Sequence, residues 1–210
     1  MLIAEQLLVL GCTPTAVAAD PRWPSNRRLA SAVVAELTVM GRLRFLAGLV
    51  IPDASPTSST VLTDALAVLE RRKELSVSHA IDAIANAHTD LRQELLDSMV
   101  RRGLLEASES RHRLFWRRRA YQPVRSASQA ALDPLHRFAV AGDQGDHRGA
   151  ALFALADLIG LRPGLLDSGE LTLGRRALQQ LEADCTGTRA ATDPMSERAR
   201  LLLALTHPGS

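Results

Sequence analysis

Residues 29–41 read Leu29-Ala30-Ser31-Ala32-Val33-Val34-Ala35-Glu36-Leu37-Thr38-Val39-Met40-Gly41, with Glu36 the only charge. A surface helix carries one apolar stripe and one polar face, whereas this stretch is apolar on every side, the pattern of a helix surrounded by protein. Gly41 supplies the left-handed residue that commonly ends a helix. The stretch therefore predicts a central helix, and a buried helix needs neighbours that present apolar faces to it.

Those neighbours are found by working outward. Residues 2–10 form a short apolar run, helix or strand, packed into the body. Between the two lies GCTPTAVAADPRWPSNRR, a loop by its Gly, Pro, Asp and Asn content, with Ser25 or Asn26 placed to cap the central helix. After Gly41, Arg42–Leu46 alternates as a short strand. The loop PDASPTSST then leads to a helix capped by Ser59 or Thr60. Helices are predicted over 77–86 and 89–102; in the second, Leu91, Leu95 and Met99 recur at i, i+4 and i+8. Gly103 stops it, and LLEASESRHRLFWRRRAYQPV (104–124), two apolar runs separated by a polar turn, reads as a β-hairpin attached to the end of that helix. Three more helices are expected over 128–141, 147–160 and 170–183, then a last short one over 194–206 and a frayed tail, 207–210. No repeat or low-complexity linker divides the chain. The expectation is a mainly α fold: one compact helical domain, 1–206, with a small protruding β-hairpin.

Composition agrees. Of 210 residues 46% are hydrophobic but only 3% aromatic, so the core must be Leu, Ala and Val, which suits close-packed helices. The net charge of +2 gives no bulk attraction for nucleic acid, so any basic function must be local. Of the 25 basic residues only Lys73 is not arginine, a bias for which coding composition is a sufficient cause. Cys12 and Cys185 make neither a disulfide framework nor a metal knuckle and fit a reducing cytoplasm. The N-terminus lacks a basic n-region and has Glu5 inside its apolar run, unlike a signal peptide, and no run is long enough to span a bilayer.

Enzyme signatures are missing: no GxSxG elbow, HExxH, P-loop or GxGxxG occurs. The histidines at 79, 88, 112, 136, 147 and 207 are isolated, and Asp143 and Asp146 lie in a turn without the ligand alternation of a calcium loop. No catalysis, metal or cofactor is expected. Two clusters remain. Residues 101–125 hold eight arginines against two acids, with Leu114, Phe115 and Trp116 running directly into Arg117, Arg118 and Arg119. Such a hairpin can press aromatics into a headgroup layer while arginines neutralise anionic lipid. It can equally be the wing of a DNA-binding helix, or simply pack on the body or on another subunit. The second cluster is PRWPSNRR, where Trp23 either stacks on a ring-shaped ligand, with arginines holding its phosphates, or plugs an apolar gap.

Five segments taken together resemble the GPP34 family, the Golgi phosphoprotein 3 and Vps74-like proteins, in a short bacterial form. MLIAEQLLVL (1–10) is similar to "LxxEELLLL", AELTVMGRL (35–43) to "AELALRGRI", and PTSSTVLTDAL (56–66) to "PTGDxLLDEAL". LRQELLDSMVRRGLL (91–105) is similar to "LRxxLxxxLVxxGxL", and HRGAALFALADLIGL (147–161) to "RxxALLALLxA". Ser58-Ser59 stands for the Gly-Asp pair, and Thr63 departs from the "LLDEAL" stretch. The resemblance implies a helical domain with a protruding hairpin that binds phosphatidylinositol 4-phosphate as a membrane adaptor for protein clients. It implies a headgroup pocket built from a Trp and an Arg near the start of the central helix and two Arg spaced i, i+3 in the helix before the hairpin. The second of that pair falls on Arg92, the first on Thr89, the central-helix arginine on Ala30 and the Trp on Pro21, two residues before Trp23. Trp23, Arg27, Arg28 and Arg92 are thus the expected headgroup residues, with Arg27, Arg28 or Arg22 standing in for the missing donors. The family's hairpin falls on about residues 108–119, where Leu114 to Arg119 would touch the bilayer or form a homo-oligomer. The competing winged-helix reading needs a basic outer face on 89–102, but Asp90, Glu94 and Asp97 would oppose phosphate there.

Overall fold

In a computed structural model the described residues are 1–12, 24–53, 55–72, 75–112, 116–142, 145–160 and 165–186. They form eight helices: α1 (Ile3–Gly11), α2 (Asn26–Val39), α3 (Thr60–Glu70), α4 (Val77–Ala87), α5 (Leu91–Arg101), α6 (Arg125–Ala141), α7 (His147–Leu158) and α8 (Ser168–Thr186). Two antiparallel ribbons join them, β1 (Leu43–Leu46) with β2 (Leu49–Pro52), and β3 (Leu105–His112) with β4 (Trp116–Pro123). The mainly α expectation holds. The helix expected over 194–206 lies outside the described residues.

The central helix is where the sequence puts it. Every residue of α2 from Leu29 to Thr38 is buried, and α1, α3, α4, α5 and α7 all pack against it. It ends in a Schellman motif: Gly41 has φ +70°, its N–H donates to Thr38 O, and Arg42 N–H donates to Leu37 O. α5 ends the same way at Gly103, with φ +68° and Leu104 N–H on Met99 O. Residues 2–10 resolve as helix. β2, which has only Leu49, Val50 and Ile51 to show before Pro52, follows from the turn: Ala47 and Gly48 both have positive φ, as a tight hairpin requires. The second ribbon pairs from Leu105↔Pro123 out to His112↔Trp116, wider than the 108–119 expected. Its base is fixed because Leu105 is buried, and Pro123, with no N–H to give, closes the ladder.

The core is apolar except at α1 and α2, where Glu5, Gln6, Ser31, Glu36 and Thr38 are buried. Glu36 accepts Ile3 N–H at 2.8 Å and Arg148 Nη1 at 2.6 Å, and Arg148 Nη2 also donates to Met1 O at 2.5 Å. Glu5 accepts Leu2 N–H at 2.9 Å and Arg102 Nη1 at 2.5 Å. Each carboxylate is therefore charge-paired and further hydrogen-bonded, the condition for burying it. Gln6 answers a different need. Pro134 sits inside α6, so the carbonyl four residues earlier, Ala130 O, loses its helical donor. Gln6 Nε2 supplies the substitute at 3.1 Å.

Two stability outcomes are expected. Arg148→Ala leaves Glu36 buried with a backbone N–H as its only partner and should cost about 3 kcal/mol, the low end for a broken buried pair because Arg148 is part-exposed. Glu36→Gln, which keeps the shape, should cost less; urea midpoints compare them, and equal costs would deny that the buried charge matters. Gln6→Leu should cost about 1–3 kcal/mol by orphaning Ala130 O. In a Pro134→Ala background, where the helix recovers its own donor, that cost should largely vanish, and a double-mutant cycle showing additivity would refute the link.

Candidate functional site

The start of α2 and the start of α5 are held together by one side chain. Asn26 Nδ2 donates to His88 O at 3.1 Å and to Thr89 O at 3.4 Å, fastening the first residue of α2 to the α4–α5 connection. α5 is capped by Asp90, whose carboxylate accepts Gln93 N–H at 2.9 Å. α2 is not: Ser25 holds its N-cap position, but its hydroxyl makes no capping bond. Among the described residues no side chain caps the first amides of α2, and a helix N-terminus in that condition favours an anion.

Three of the expected headgroup arginines lie at this junction. Arg92, in the first turn of α5, is half-buried; its Nε is shut from solvent and has no hydrogen-bond partner. Its charge pulls the Cys12 thiol pKa down, while the larger effect of burial pushes it up, so the thiol stays protonated and unreactive near neutral pH. Arg92 is therefore within electrostatic reach of the C-terminal end of α1. Arg28 is exposed and has no ion pair among the described residues. Arg27 is exposed too, but its Nε meets Asp82 Oδ1 at 2.7 Å and its Nη2 meets Ser78 Oγ at 3.0 Å, which ties α2 to α4. An exposed pair of this kind contributes about 0–1 kcal/mol and exchanges readily for another anion. Trp23 and Arg22 lie outside the described residues, directly before this junction. Ala30 is fully buried and Thr89 exposed; neither offers a positive charge.

Sequence reading missed Asn26, taken only as a cap, and His88. The His88 ring is 8% exposed, with Nδ1 at 2.7 Å from Glu94 Oε2 and Nε2 buried without a partner. A carboxylate only accepts, so Nδ1 carries the hydrogen. Neither role has a sequence signal, because each depends on which loop folds beside which helix.

At the hairpin, Leu114 and Phe115 fall outside the described residues, and Trp116, Arg117 and Arg118 are described by their pairing, opposite His112, Arg111 and Ser110. Arg119 is exposed, with Nη1 at 3.7 Å from Asp97 on α5. Asp90, Glu94 and Asp97 each have a structural partner: the α5 cap, His88, and the Gln93 amide. At the opposite end of α1 and α5 a cleft of about 380 Å³ is lined by Ser58, Ser59, Thr60, Ser98 and Arg102. There Arg102 is already engaged by Glu5. Among the described residues no helix is long and apolar enough to cross a membrane, and no group of three His, Cys, Asp or Glu side chains is placed to hold a metal.

No curated protein matches the chain. The model of one family, described as Golgi phosphoprotein 3 (GPP34), matches residues 3–205, from the first helical residue through the segment beyond α8. The chain therefore belongs to the Golgi phosphoprotein 3 (GPP34) family.

Proposed function

We propose that this protein is a non-catalytic, peripheral binder of anionic lipid headgroups of the phosphatidylinositol 4-phosphate type, acting as a membrane adaptor. The observation that carries this reading is Arg92 Nε, a buried donor without an acceptor, at the junction of two helix starts. An unmet buried donor costs about 1–3 kcal/mol, and a phosphate oxygen relieves that cost while a neutral ligand relieves less of it. The uncapped start of α2 and the exposed Arg28 add positive potential to the same place. Arg27 can leave Asp82 for a phosphate at little cost, which offsets the charge missing at Ala30 and Thr89. Trp23, three residues before α2, is the aromatic that would stack on the inositol ring, and the basic hairpin with Leu114, Phe115, Trp116, Arg117 and Arg118 would meet the surrounding lipid.

Liposome co-sedimentation at physiological salt tests this, comparing neutral vesicles, generic anionic vesicles and vesicles containing phosphatidylinositol 4-phosphate. Preference for the phosphoinositide is expected. Arg92→Ala should weaken it about tenfold or more, since one charge-assisted bond is worth about 1.5–3 kcal/mol. Equal binding to all anionic vesicles, insensitive to Arg92→Ala, would replace the pocket with a generic basic-aromatic contact. No binding to any vesicle would leave the protein-interaction and oligomerisation module as the reading to pursue.

A further inference from the structure

The hairpin is not a free arm. Gln93 spends both hydrogens of its side-chain amide, one on Asp97 Oδ1 at 2.8 Å and one on the Tyr121 hydroxyl at 2.9 Å. Asp97 in turn faces Arg119 Nη1 at 3.7 Å. Gln93 and Asp97 are four residues apart and share one face of α5. Arg119 and Tyr121 are two apart and share one face of β4. The Gln93–Tyr121 hydrogen bond thus fastens the strand to the helix, and the exposed Arg119–Asp97 pair two residues along adds weak electrostatic guidance to the same orientation. Pairing carries that constraint to β3, because Tyr121 lies opposite Ala107 and Arg119 opposite Glu109. The residue before Gln93 is Arg92, so one turn of one helix carries both the buried headgroup donor and the anchor of the hairpin.

We infer that Gln93, with Asp97, Tyr121 and Arg119, is a positioning clamp that sets the β3–β4 hairpin at a fixed angle to the Arg92 site, so that both engage one lipid surface together. The inference rests on the headgroup reading above and adds to it a geometric requirement. Two contacts on a rigid body bind a surface more tightly than the same two contacts joined by a hinge, because the second then forms at high effective concentration. A soluble headgroup meets only the first contact and gains nothing from the clamp.

The test uses the full chain carrying Gln93→Ala with Tyr121→Phe, and Tyr121→Phe alone, which keeps the ring and removes only the hydroxyl. Two probes are titrated: phosphatidylcholine vesicles doped with phosphatidylinositol 4-phosphate, and soluble inositol 1,4-bisphosphate. The double variant is expected to lose about tenfold in vesicle affinity while its affinity for the soluble headgroup stays within about twofold. Tyr121→Phe alone should show a smaller loss in the same direction, and amide hydrogen exchange should quicken at the hairpin base. Vesicle affinity equal to wild type in the double variant overturns the clamp and leaves the headgroup reading standing. Parallel loss on both probes also overturns it, by showing that Gln93 supports the pocket and not the hairpin. A wild-type protein that binds neither probe defeats the headgroup reading itself, and the clamp's role with it.

Discussion

A carboxylate buried among hydrocarbon must be met by a positive charge and by hydrogen bonds, and Glu36 imposes that demand from the centre of the molecule. α2 can be surrounded only if some neighbour brings a cation to that point and another brings an N–H. α7 supplies Arg148 and the start of α1 supplies Ile3 N–H, so the placement of two elements far apart in sequence follows from one side chain. Glu5 repeats the demand one layer out and is answered by Arg102 from the end of α5. Apolar packing alone tolerates many registers between helices; ion pairs at fixed positions tolerate few. The contrast between a nearly featureless Ala/Leu/Val core and this small set of polar contacts explains how so plain a composition specifies one arrangement.

The same contacts explain what the family resemblance is made of. Glu5 in the opening motif, Glu36 before Gly41, and Arg148 at the head of α7 are charged positions in three of the five similar segments, and all three sit in this network. Gly41 and Gly103, in two of the segments, are the Schellman glycines. These positions hold the fold and touch no candidate ligand. Membership over residues 3–205 therefore does not depend on Ala30 and Thr89, the positions where the resemblance leads one to expect arginines.

Legibility in the sequence divides along the same line. The buried helix, the stop glycines and the i, i+4, i+8 stripe of α5 are local patterns, and each reads correctly from a short window. α6 begins at Arg125, ahead of its expected start at 128, because its polar first turn shows no apolar period. Long-range polar pairing left no trace: Gln6 meets Ala130, 124 residues away, only because Pro134 freed that carbonyl. A proline within a helix announces an orphaned acceptor, but not which side chain will find it. Arg92 was legible as a residue; its unpartnered Nε and the Asn26 bridge beside it were not, since both depend on how α1, α2 and α5 converge.

That convergence gives the site a character unlike a pocket of clustered arginines. Its positive potential is shared among an uncapped helix start, one half-buried guanidinium and two exposed ones, of which Arg27 alone has an ion pair among the described residues. Fixed dipoles and a desolvated donor are oriented before any ligand arrives, whereas exposed arginines must give up side-chain freedom to bind. On the headgroup reading proposed above, a junction of this kind would discriminate less by total charge than by whether a phosphate reaches the buried Nε. On that reading, charge on the basic hairpin would draw the protein to an anionic surface, and the junction would then select among the headgroups found there.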